Sequence, residues 1–408
     1  DYVGVASKTG EQLKGAKMIL MLAKESAKKT IFGGIHPSLL PDQCIRELYI
    51  DYIVVGEGEI TIVDLIDALE NNRSVGLGVM TKRGFTGSQR QLTGEDIPSP
   101  ITKKTKPYFE KSYPSDVMLQ SSRGCPFECT FCYNVAFHQS KYRPIPLSNW
   151  EDDLDKLPGI KWLQMGEDWA GPKRRILEIA RILHKKGIGW LPGLRADQID
   201  EELAGELAAY GCTGVAIGIE SGSPTVLMDI VNKQETVDAF INSARALTKV
   251  NLKAQYYFIL GFPGETEKDR TLTYNFADKL YKIHGGNVTM IFYSFTPLPG
   301  TPLYEKAITF GIKLPKNIDG WSNYSLNKSF SDEYSNIYHI AGLTFHRGKG
   351  DKTDRNFPGL KRLLIKPFEL LCMFRWKLRY WNYFTFEKHC IEKLLNWTIQ
   401  QKSGEKNL

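Results

Sequence analysis

The chain has 408 residues, of which 42% are hydrophobic and 24% are charged. This is the composition of a globular protein, so disorder, collagen and small disulfide-stapled scaffolds are excluded. At roughly 150 residues per domain, the length predicts about two or three domains. No apolar run reaches the roughly 18 residues that cross a bilayer, so no membrane span is expected.

The net charge of +7 is unevenly distributed along the chain. Residues 361–408 hold ten Lys or Arg and four Glu, which gives +6, and the other 360 residues together carry +1. A nucleic-acid-binding protein usually carries its basic surface on the body of the fold. We therefore expect no nucleic-acid partner.

Short β-rich runs alternate with helical stretches over 1–75, which predicts a doubly wound, Rossmann-like domain with a parallel sheet. The runs FGGIHP at 32–37 and GEGE at 56–59 each follow a predicted strand, where open α/β sheets bind ligands. Three strands are few for such a domain, and Asp1 stands directly before the first of them. We expect the domain to be truncated, with its first half missing.

Residues 76–116 are predicted to be a linker, because glycines and prolines interrupt any period. Six further βα units over 117–330 predict a partial (βα)6 TIM-like barrel, with sites at the carboxyl ends of its strands. The fold class is therefore α/β. The strands are expected at 117–121, 161–165, 189–194, 214–219, 253–260 and 287–295.

Residues 331–408 are predicted to form a helical C-terminal region that is rich in aromatic and basic side chains. These side chains could pack as a cap on the barrel, lie at an anionic lipid surface or stack on nucleotides, and the cap is favoured. The lipid alternative predicts peripheral contact with the inner membrane surface. The residues concerned are Arg375, Trp376, Lys377, Arg379, Tyr380, Trp381, Tyr383, Phe384 and Phe386.

Three of the seven cysteines, Cys125, Cys129 and Cys132, fall within eight residues directly after the first barrel strand. The pattern indicates a metal site in a reducing compartment, and so a cytoplasmic protein. Thiolates this close on one loop suit a compact soft-metal centre. An iron–sulfur cluster would leave one iron open, whereas structural zinc would need a fourth protein ligand, for which His138 could serve. The isolated cysteines are expected to be buried apolar residues, namely Cys44, Cys212, Cys372 and Cys390. The adjacent His389 and Cys390 are only a weak indication of a metal site.

The triplet, with Phe131 before its last cysteine, resembles the signature of the radical S-adenosylmethionine (SAM) superfamily. The resemblance implies that the three cysteines hold a 4Fe-4S cluster, that SAM occupies the fourth iron, and that Phe131 lies beside the adenine. It also implies an external one-electron reductant. Cleavage of SAM would release a 5′-deoxyadenosyl radical that abstracts hydrogen from the substrate.

Glycines and polar residues also follow the other predicted barrel strands. Glycine lets backbone approach a ligand closely, a glutamate accepts hydrogen bonds from ammonium or hydroxyl groups, and an arginine can pair with a carboxylate. By resemblance, the amino group of SAM is assigned to Gly166 and Glu167, its carboxylate to Arg195, the ribose to Glu220 and Ser221, and the adenine to Ile259 and Gly261. Helix capping is the alternative for these carboxylates. It weighs most for Glu167 and Asp168, because this chain has Glu-Asp-Trp-Ala at 167–170 where relatives often have Asp-Asp-Asn-Phe. Glu265 is expected to be a cap.

The first domain is similar to the second half of the cobalamin-binding domain that is fused to many radical SAM enzymes. With the barrel, the resemblance spans about residues 1–325. The alternative is that the glycines are only turn residues, and His36 is expected to be a loop or helix-start histidine. By resemblance, the groove for the nucleotide tail of cobalamin in the intact protein is lined by Ser7, Gly33, Gly34, Gly56, Glu57 and Gly58.

The sequence therefore predicts a cobalamin-dependent radical SAM enzyme. The favoured reaction is methyl transfer to an unactivated carbon of a small-molecule or lipid-like substrate. A cyclase or rearrangement enzyme of the same architecture is the nearer alternative, and nothing in the sequence chooses between them. From another class, a non-catalytic, zinc-stabilised protein that binds membrane surfaces is the second alternative.

Overall fold

A five-stranded sheet forms the first domain of the computed structural model, which describes residues 1–324, 332–345 and 359–381. The strand order is β1-β2-β3-β4-β5, in which the first three strands are parallel and the last two are antiparallel. The elements are β1 (Tyr2–Ala6), α1 (Gln12–Glu25), β2 (Lys29–Gly33), α2 (Ile35–Leu39), α3 (Pro41–Cys44), β3 (Tyr52–Val54), α4 (Gly58–Glu70), β4 (Val79–Thr81) and β5 (Gly84–Phe85).

The two antiparallel strands lie in the segment 76–116 that was predicted to be a linker. They are only three and two residues long, which is why the sequence pattern did not reveal them. Val79 and Met80 are 1% and 4% exposed, so the burial of their side chains holds β4 against the parallel strands. The same segment then forms one short helix, α5 (Lys106–Ser112).

Six parallel strands form an open barrel in chain order, as predicted. They belong to two three-stranded sheets, which are joined by parallel bridges from Trp190 to Cys212 and from Gly193 to Ala216. A short antiparallel pair, β7 with β8, lies beside the barrel. The elements are β6 (Asp116–Leu119), β7 (Ser122–Arg123), α6 (Tyr133–Phe137), β8 (Arg143–Pro144), α7 (Leu147–Asp155), β9 (Trp162–Met165), α8 (Lys173–Lys185), β10 (Gly189–Leu191), α9 (Glu201–Ala209), β11 (Val215–Glu220), α10 (Val237–Lys249), β12 (Ala254–Leu260), α11 (Glu267–Ile283) and β13 (Val288–Ser294).

The barrel strands bury their outer faces under the helices. Tyr256 and Phe258 of β12 are fully buried, whereas the alternate residues Gln255, Tyr257 and Ile259 are only half-buried. Because successive side chains point to opposite faces of a strand, this second set lines the lumen. A closed TIM barrel is filled by such side chains. The lumen of this open barrel is accessible instead.

Four helices follow the barrel: α12 (Pro302–Thr309), α13 (Ile318–Ser322), α14 (Asp332–Phe345) and α15 (Gly359–Leu378). The third packs on β13 and the fourth packs on the third. The α13 helix returns to the first domain, where the buried Trp321 donates a hydrogen bond to Gln43 at 2.7 Å. The two domains are therefore connected at two places, by the 76–116 segment and by the contact of α13 with the first domain.

The C-terminal helices complete the barrel core. Trp376 of α15 is 2% exposed, and its indole N–H donates to Asp278 of α11 at 2.8 Å. Cys44, Cys212 and Cys372 are buried, as predicted. Among the described residues, no helix combines the length and the apolar character needed to cross a bilayer. Contact with a lipid surface stays a prediction, and Tyr383, Phe384, Phe386, His389 and Cys390 lie outside the described residues.

The assignment of the two strand faces can be tested by substitution. The rings of Phe258 and Phe292 stack with centroids 4.5 Å apart, and both are buried. We expect Phe292→Ala to lower the free energy of unfolding by about 3–5 kcal/mol, because it leaves a cavity. Met118→Ala, on the lumen face and 57% exposed, should change it by less than about 0.5 kcal/mol. Urea denaturation measures both, and equal losses would contradict the assignment.

Candidate functional site

The three clustered cysteines lie on a loop between β7 and α6, at the carboxyl end of the first barrel strand. The side chain of Asn134 closes this loop, since it accepts from the N–H of Cys125 at 2.9 Å and donates to its carbonyl oxygen at 2.8 Å. In the middle of the loop, Thr130 donates from its N–H to Val231 at 2.9 Å and from its hydroxyl to Ile230 at 2.7 Å. The loop is therefore fixed to the barrel before any ligand binds.

All three thiols of this loop are free and half-buried. Burial raises the pKa of Cys125 to about 11 and that of Cys132 to about 12, and it also raises the pKa of Cys129. Thiols in such surroundings become thiolates when a metal binds them, because coordination compensates for the lost hydration. The donor set is therefore one that a soft-metal centre would stabilise.

The zinc alternative needs four ligands that converge on one ion. His138, the predicted fourth ligand, has Nδ1 at 2.8 Å from the guanidinium of Arg143 and Nε2 at 3.6 Å from Asp168. Within the described ranges, no group of three or more His, Cys, Asp or Glu side chains is arranged to hold a metal ion. In an iron–sulfur cluster each thiolate binds its own iron, so three separated thiols fit that centre.

Two carboxylates follow β9 and face the cysteine loop. Glu167 accepts from the hydroxyl of Ser121 at 2.6 Å, and Asp168 accepts from the hydroxyl of Tyr133 at 2.5 Å. Neither is a helix cap, because α8 begins at Lys173. Burial raises the pKa of Glu167, and its second oxygen, Oε2, is buried without a hydrogen-bond partner. Such an acceptor is costly unless a ligand donates to it, and an ammonium group would do so.

A second charged group lies where β10 and β11 end. Lys233 Nζ is 3.2 Å from Glu220 Oε1 and 3.4 Å from Glu235 Oε2, and all three residues are buried. Arg195 Nη1 is 3.6 Å from Glu235 Oε2, and its guanidinium lies 3.7 Å over the ring of Phe127. Burial lowers the pKa of Lys233, but its two carboxylate neighbours outweigh burial and raise it. Buried charges persist only when they are paired in this way.

The structure gives Arg195 protein partners on all three guanidinium nitrogens. Nε and Nη2 donate to Asp197, with a shortest distance of 2.6 Å, while Nη1 donates to the carbonyl oxygen of Lys233 at 3.1 Å. A carboxylate ligand would therefore have to share these donors. Lys233 and Arg195 both lower the pKa of the nearby Cys129 against the larger effect of burial. Positive charge thus lies beside the cysteine loop.

The backbone of Glu220 adopts a left-handed conformation, with φ +64°, which is unfavourable for a residue other than glycine. The pairing of β11 with β12 shifts register at this point. A Cβ atom at Gly218 would collide with the carboxylate of Glu220, so the glycine makes room for it. Strain of this kind concentrates at functional sites. The hydroxyl of the next residue, Ser221, lies 2.9 Å from that of Thr273 on α11.

The residues predicted to pack around adenine lie near the carboxyl ends of the barrel strands, which form the mouth of the barrel. Phe131 and Ile259 pack on one apolar cluster, in which the rings of Phe131 and Phe262 are 5.9 Å apart. Gly261 has φ +84°, and a Cβ atom there would lie 2.6 Å from the ring of Tyr334. Only glycine therefore allows α14 to approach the end of β12.

The prediction that Glu265 is a cap was wrong. The N-cap of α11 is Thr266, which forms a capping box with Asp269. The carboxylate of Glu265 instead accepts from the N–H of Gly261 at 2.6 Å. The capping-box pattern Thr-x-x-Asp is visible in the sequence and would have identified the cap.

Five of the six predicted cobalamin residues, all except Ser7, line a cleft of ≈ 530 Å³ in the first domain. Gly34 has φ +92°, and a Cβ atom there would lie 2.7 Å from the backbone of Ser7, so glycine keeps this turn narrow. The hydroxyl of Ser7 donates to Lys8 rather than into the cleft. The opposite wall comes from the barrel, where Tyr133 and Phe137 of α6 face the glycine turns. The lining also includes Gly33, Gly56, Glu57 and Gly58.

The carboxylate of Glu57 joins the two domains. It accepts from Arg143 Nη1 and from the N–H of Leu92, each at 2.7 Å, and it lies 3.3 Å from Arg123 Nη1. Burial raises the pKa of Glu57, but these donors outweigh burial and lower it. Arg123 also pairs with Glu59 at 2.6 Å. The side chain predicted to contact cobalamin thus forms a buried ion pair between the domains.

Comparison with known proteins agrees with both halves of this arrangement. The radical SAM superfamily profile matches residues 119–277, and the B12 binding domain profile matches residues 1–66. The chain therefore contains a radical SAM domain and a cobalamin-binding domain. The 4Fe-4S cluster, SAM and cobalamin predicted from the sequence are confirmed at the level of these domains.

Individual relatives extend the match over most of the chain. An uncharacterized methyltransferase of Pyrococcus horikoshii is 29% identical over 85% of this chain and 78% of its own length. Bacteriochlorophyllide d C-12(1)-methyltransferase of Chlorobaculum tepidum is 23% identical over 94% of this chain and 79% of its own length. The cobalamin-dependent SAM radical enzyme OxsB, solved with aqua-cobalamin and SAM bound, superposes with a TM-score of 0.70 at 17% identity. That superposition covers 97% of this chain and 67% of OxsB, and it shows a shared fold.

Sequence reasoning about this radical SAM site missed four residues that the structure places in it. Lys233 and Glu235 lie on the loop after a π-helical turn, away from any strand end, so the barrel pattern gave no signal for them. Tyr133 follows the cysteine triplet directly, but its bond to Asp168 depends on the fold. Tyr334 comes from the C-terminal region.

Removing Arg143 tests the ion pair between the domains. Arg143→Met should lower the free energy of unfolding by about 3 kcal/mol, because Glu57 would stay buried without its closest ion-pair partner, and Arg123 and the N–H of Leu92 would be its only remaining partners. Arg73→Met is the matched control, since its partner Asp67 is exposed, and it should cost less than about 0.5 kcal/mol. Urea denaturation compares the two. An equal, small effect of both would contradict the role given to Glu57.

The stability of the radical SAM barrel should depend on pH through Glu265. Burial raises the pKa of this carboxyl from 4.5 to about 7. Between these values the unfolded chain has lost the proton that the folded chain keeps, so stability falls as the pH rises from about 4.5 to about 7. Glu265→Gln should remove this part of the pH dependence. Melting temperatures across that range measure the difference, and parallel curves for the two proteins would refute the assignment.

Proposed function

We propose that the chain is a cobalamin-dependent radical SAM methyltransferase that transfers a methyl group to an unactivated carbon of a small molecule. One observation carries the proposal. The α6 helix begins directly after Cys132, and its residues Tyr133 and Phe137 form a wall of the cobalamin cleft. The cysteine loop and the cleft therefore adjoin each other.

The cofactors divide the chemistry between them: when bound, the cluster and SAM provide hydrogen abstraction, and cobalamin provides the methyl group. The protein has to hold the cofactors at fixed positions relative to one another. Cys125, Cys129 and Cys132 would hold the cluster on a loop that Asn134 and Thr130 fix to the barrel. The ion pairs of Glu57 would keep the cleft against this loop.

The residues around the mouth match the polar groups of SAM. The unpartnered Oε2 of Glu167 would accept from its amino group. Arg195 and Lys233 place positive charge beside Cys129, which suits its carboxylate. Phe131, Ile259 and Gly261 would pack against the adenine ring. Glu220 would lie at the ribose, and its raised pKa reflects a carboxyl whose burial Lys233 offsets in part.

Product analysis on the intact protein tests the proposal. The protein would be reconstituted anaerobically with iron, sulfide and cobalamin, supplied with an external one-electron reductant and methyl-labelled SAM, and added to an extract that contains its substrate. We expect about four iron and four sulfide per chain, formation of 5′-deoxyadenosine, and label in a carbon-bound methyl group of the product.

Cysteine variants provide the control for this experiment. Cys129→Ala should lose the iron and all product, whereas Cys212→Ala, which replaces a buried cysteine under the barrel helices, should keep both. A product without label, formed while SAM is still cleaved, would contradict methyl transfer and favour a cyclase or rearrangement enzyme. One tightly held zinc and no cleavage of SAM would refute an enzyme of this class.

A further inference from the structure

The barrel lumen is an open cavity rather than a packed core. On β6, the inward-facing Met118 is 57% exposed, whereas its outward neighbours Val117 and Leu119 are each 4% exposed. The inward-facing Gln164 of β9 is exposed as well, next to the fully buried Leu163. No strand pairing joins β6 to β13 in the described part of the chain.

The inward-facing positions of the barrel strands are uncharged over most of their length. Asp116 lies at the amino end of β6 and Glu220 at the carboxyl end of β11. Between these two levels, the inward positions of the six strands carry only apolar, amide, hydroxyl or glycine residues, such as Gln164, Gln255 and Ile291. A charged ligand would find no counter-ion there.

Tyrosine rings cover one side of this lumen. The rings of Tyr257 on β12 and Tyr293 on β13 are stacked, with centroids 6.0 Å apart and planes at 21°. The ring of Tyr338 on α14 follows at 6.1 Å from Tyr293. One helical turn earlier, Tyr334 lies against Gly261 at the mouth. We call these four residues, Tyr257, Tyr293, Tyr334 and Tyr338, the tyrosine wall.

The opposite face of the same two strands provides an internal comparison. Phe258 and Phe292 also stack, but they are 0% and 1% exposed, as expected for rings that only pack. Tyr257 and Tyr293 are half-buried, and Tyr338 is 37% exposed. The rings of Tyr257, Tyr293 and Tyr338 therefore keep surface that a ligand in the lumen can contact.

We propose that the substrate of this enzyme presents a planar, uncharged ring system, which binds in the lumen against the tyrosine wall. This inference rests on the proposed function. Aromatic pairs prefer offset stacking at centroid distances that the wall already displays, and the hydroxyls of Tyr293 and Tyr338 can bond ring heteroatoms. An anion at this depth would lose its hydration without gaining a partner, and a cation would find no carboxylate to pair with.

Probe binding to the reconstituted holoenzyme tests the inference. The probes are 1-pyrenemethanol, which is neutral and planar, and its charged counterparts 1-pyrenesulfonate and 1-pyrenemethylammonium, each followed by fluorescence anisotropy. We expect the neutral probe to bind at least about tenfold more tightly than either charged probe. Equal binding of the three probes would overturn the inference.

Variants locate the probe in the lumen. Tyr293→Ala and Tyr338→Ala should each weaken binding of the neutral probe about tenfold, while Tyr293→Phe, which keeps the ring, should stay within about threefold. Tyr338 lies on the surface of α14, so the Tyr338→Ala variant can still be used to measure probe binding if Tyr293→Ala fails to fold. Tyr108→Ala is the control, because Tyr108 is 60% exposed on α5. Binding that survives both alanine variants would overturn the inference.

The wild-type holoenzyme separates this inference from the proposed function. If SAM is cleaved and the methyl group is transferred, but the alanine variants of the tyrosine wall bind the neutral probe as tightly as the wild type, the substrate class is wrong and the function stands. If the probe needs the wall but no methyl transfer occurs with any extract, the proposed function is wrong and the ring-binding lumen stands.

Discussion

The buried ion pair between Glu57 and Arg143 is the interaction on which the arrangement of the site depends. Glu57 belongs to the glycine turn of the first domain, and Arg143 belongs to the short β8 strand beside the cysteine loop. Their bond at 2.7 Å, completed by Arg123 and the N–H of Leu92, places one domain against the other. A buried charge that loses its partner is expensive, so the pair favours one relative placement of cleft and loop.

Because of this placement, one short helix borders both the cysteine loop and the cobalamin cleft. The α6 helix has five residues, starts at the last clustered cysteine, and presents Tyr133 to the cobalamin cleft and to Asp168. Since an α-helix with its side chains is about 10 Å across, only a thin wall separates the two regions. Asp168 in turn accepts from the N–H of Gly124, at the start of the cysteine loop. The chain of contacts runs from the first domain through α6 to the barrel mouth.

Residues that act through their local sequence could be predicted, and residues that act through tertiary contacts could not. The cysteine triplet and the six barrel strands follow from spacing along the chain, and Glu167 stands directly after one of these strands. The partnership of Glu57 and Arg143 joins residues 86 positions apart, so no local pattern signals it. Lys233 and Glu235 lie on a loop, where barrel spacing gives no guidance. The tyrosine wall combines rings from two strands and from a helix of the C-terminal region, so no local pattern signals it.

The central claim is that the cluster and cobalamin are neighbours across α6. Electron paramagnetic resonance of the intact protein, with the cluster reduced and cobalamin in its paramagnetic Co(II) form, measures this directly. The account predicts that the signals of the two centres are broadened or split by mutual magnetic coupling. A spectrum equal to the sum of the two isolated centres would contradict it.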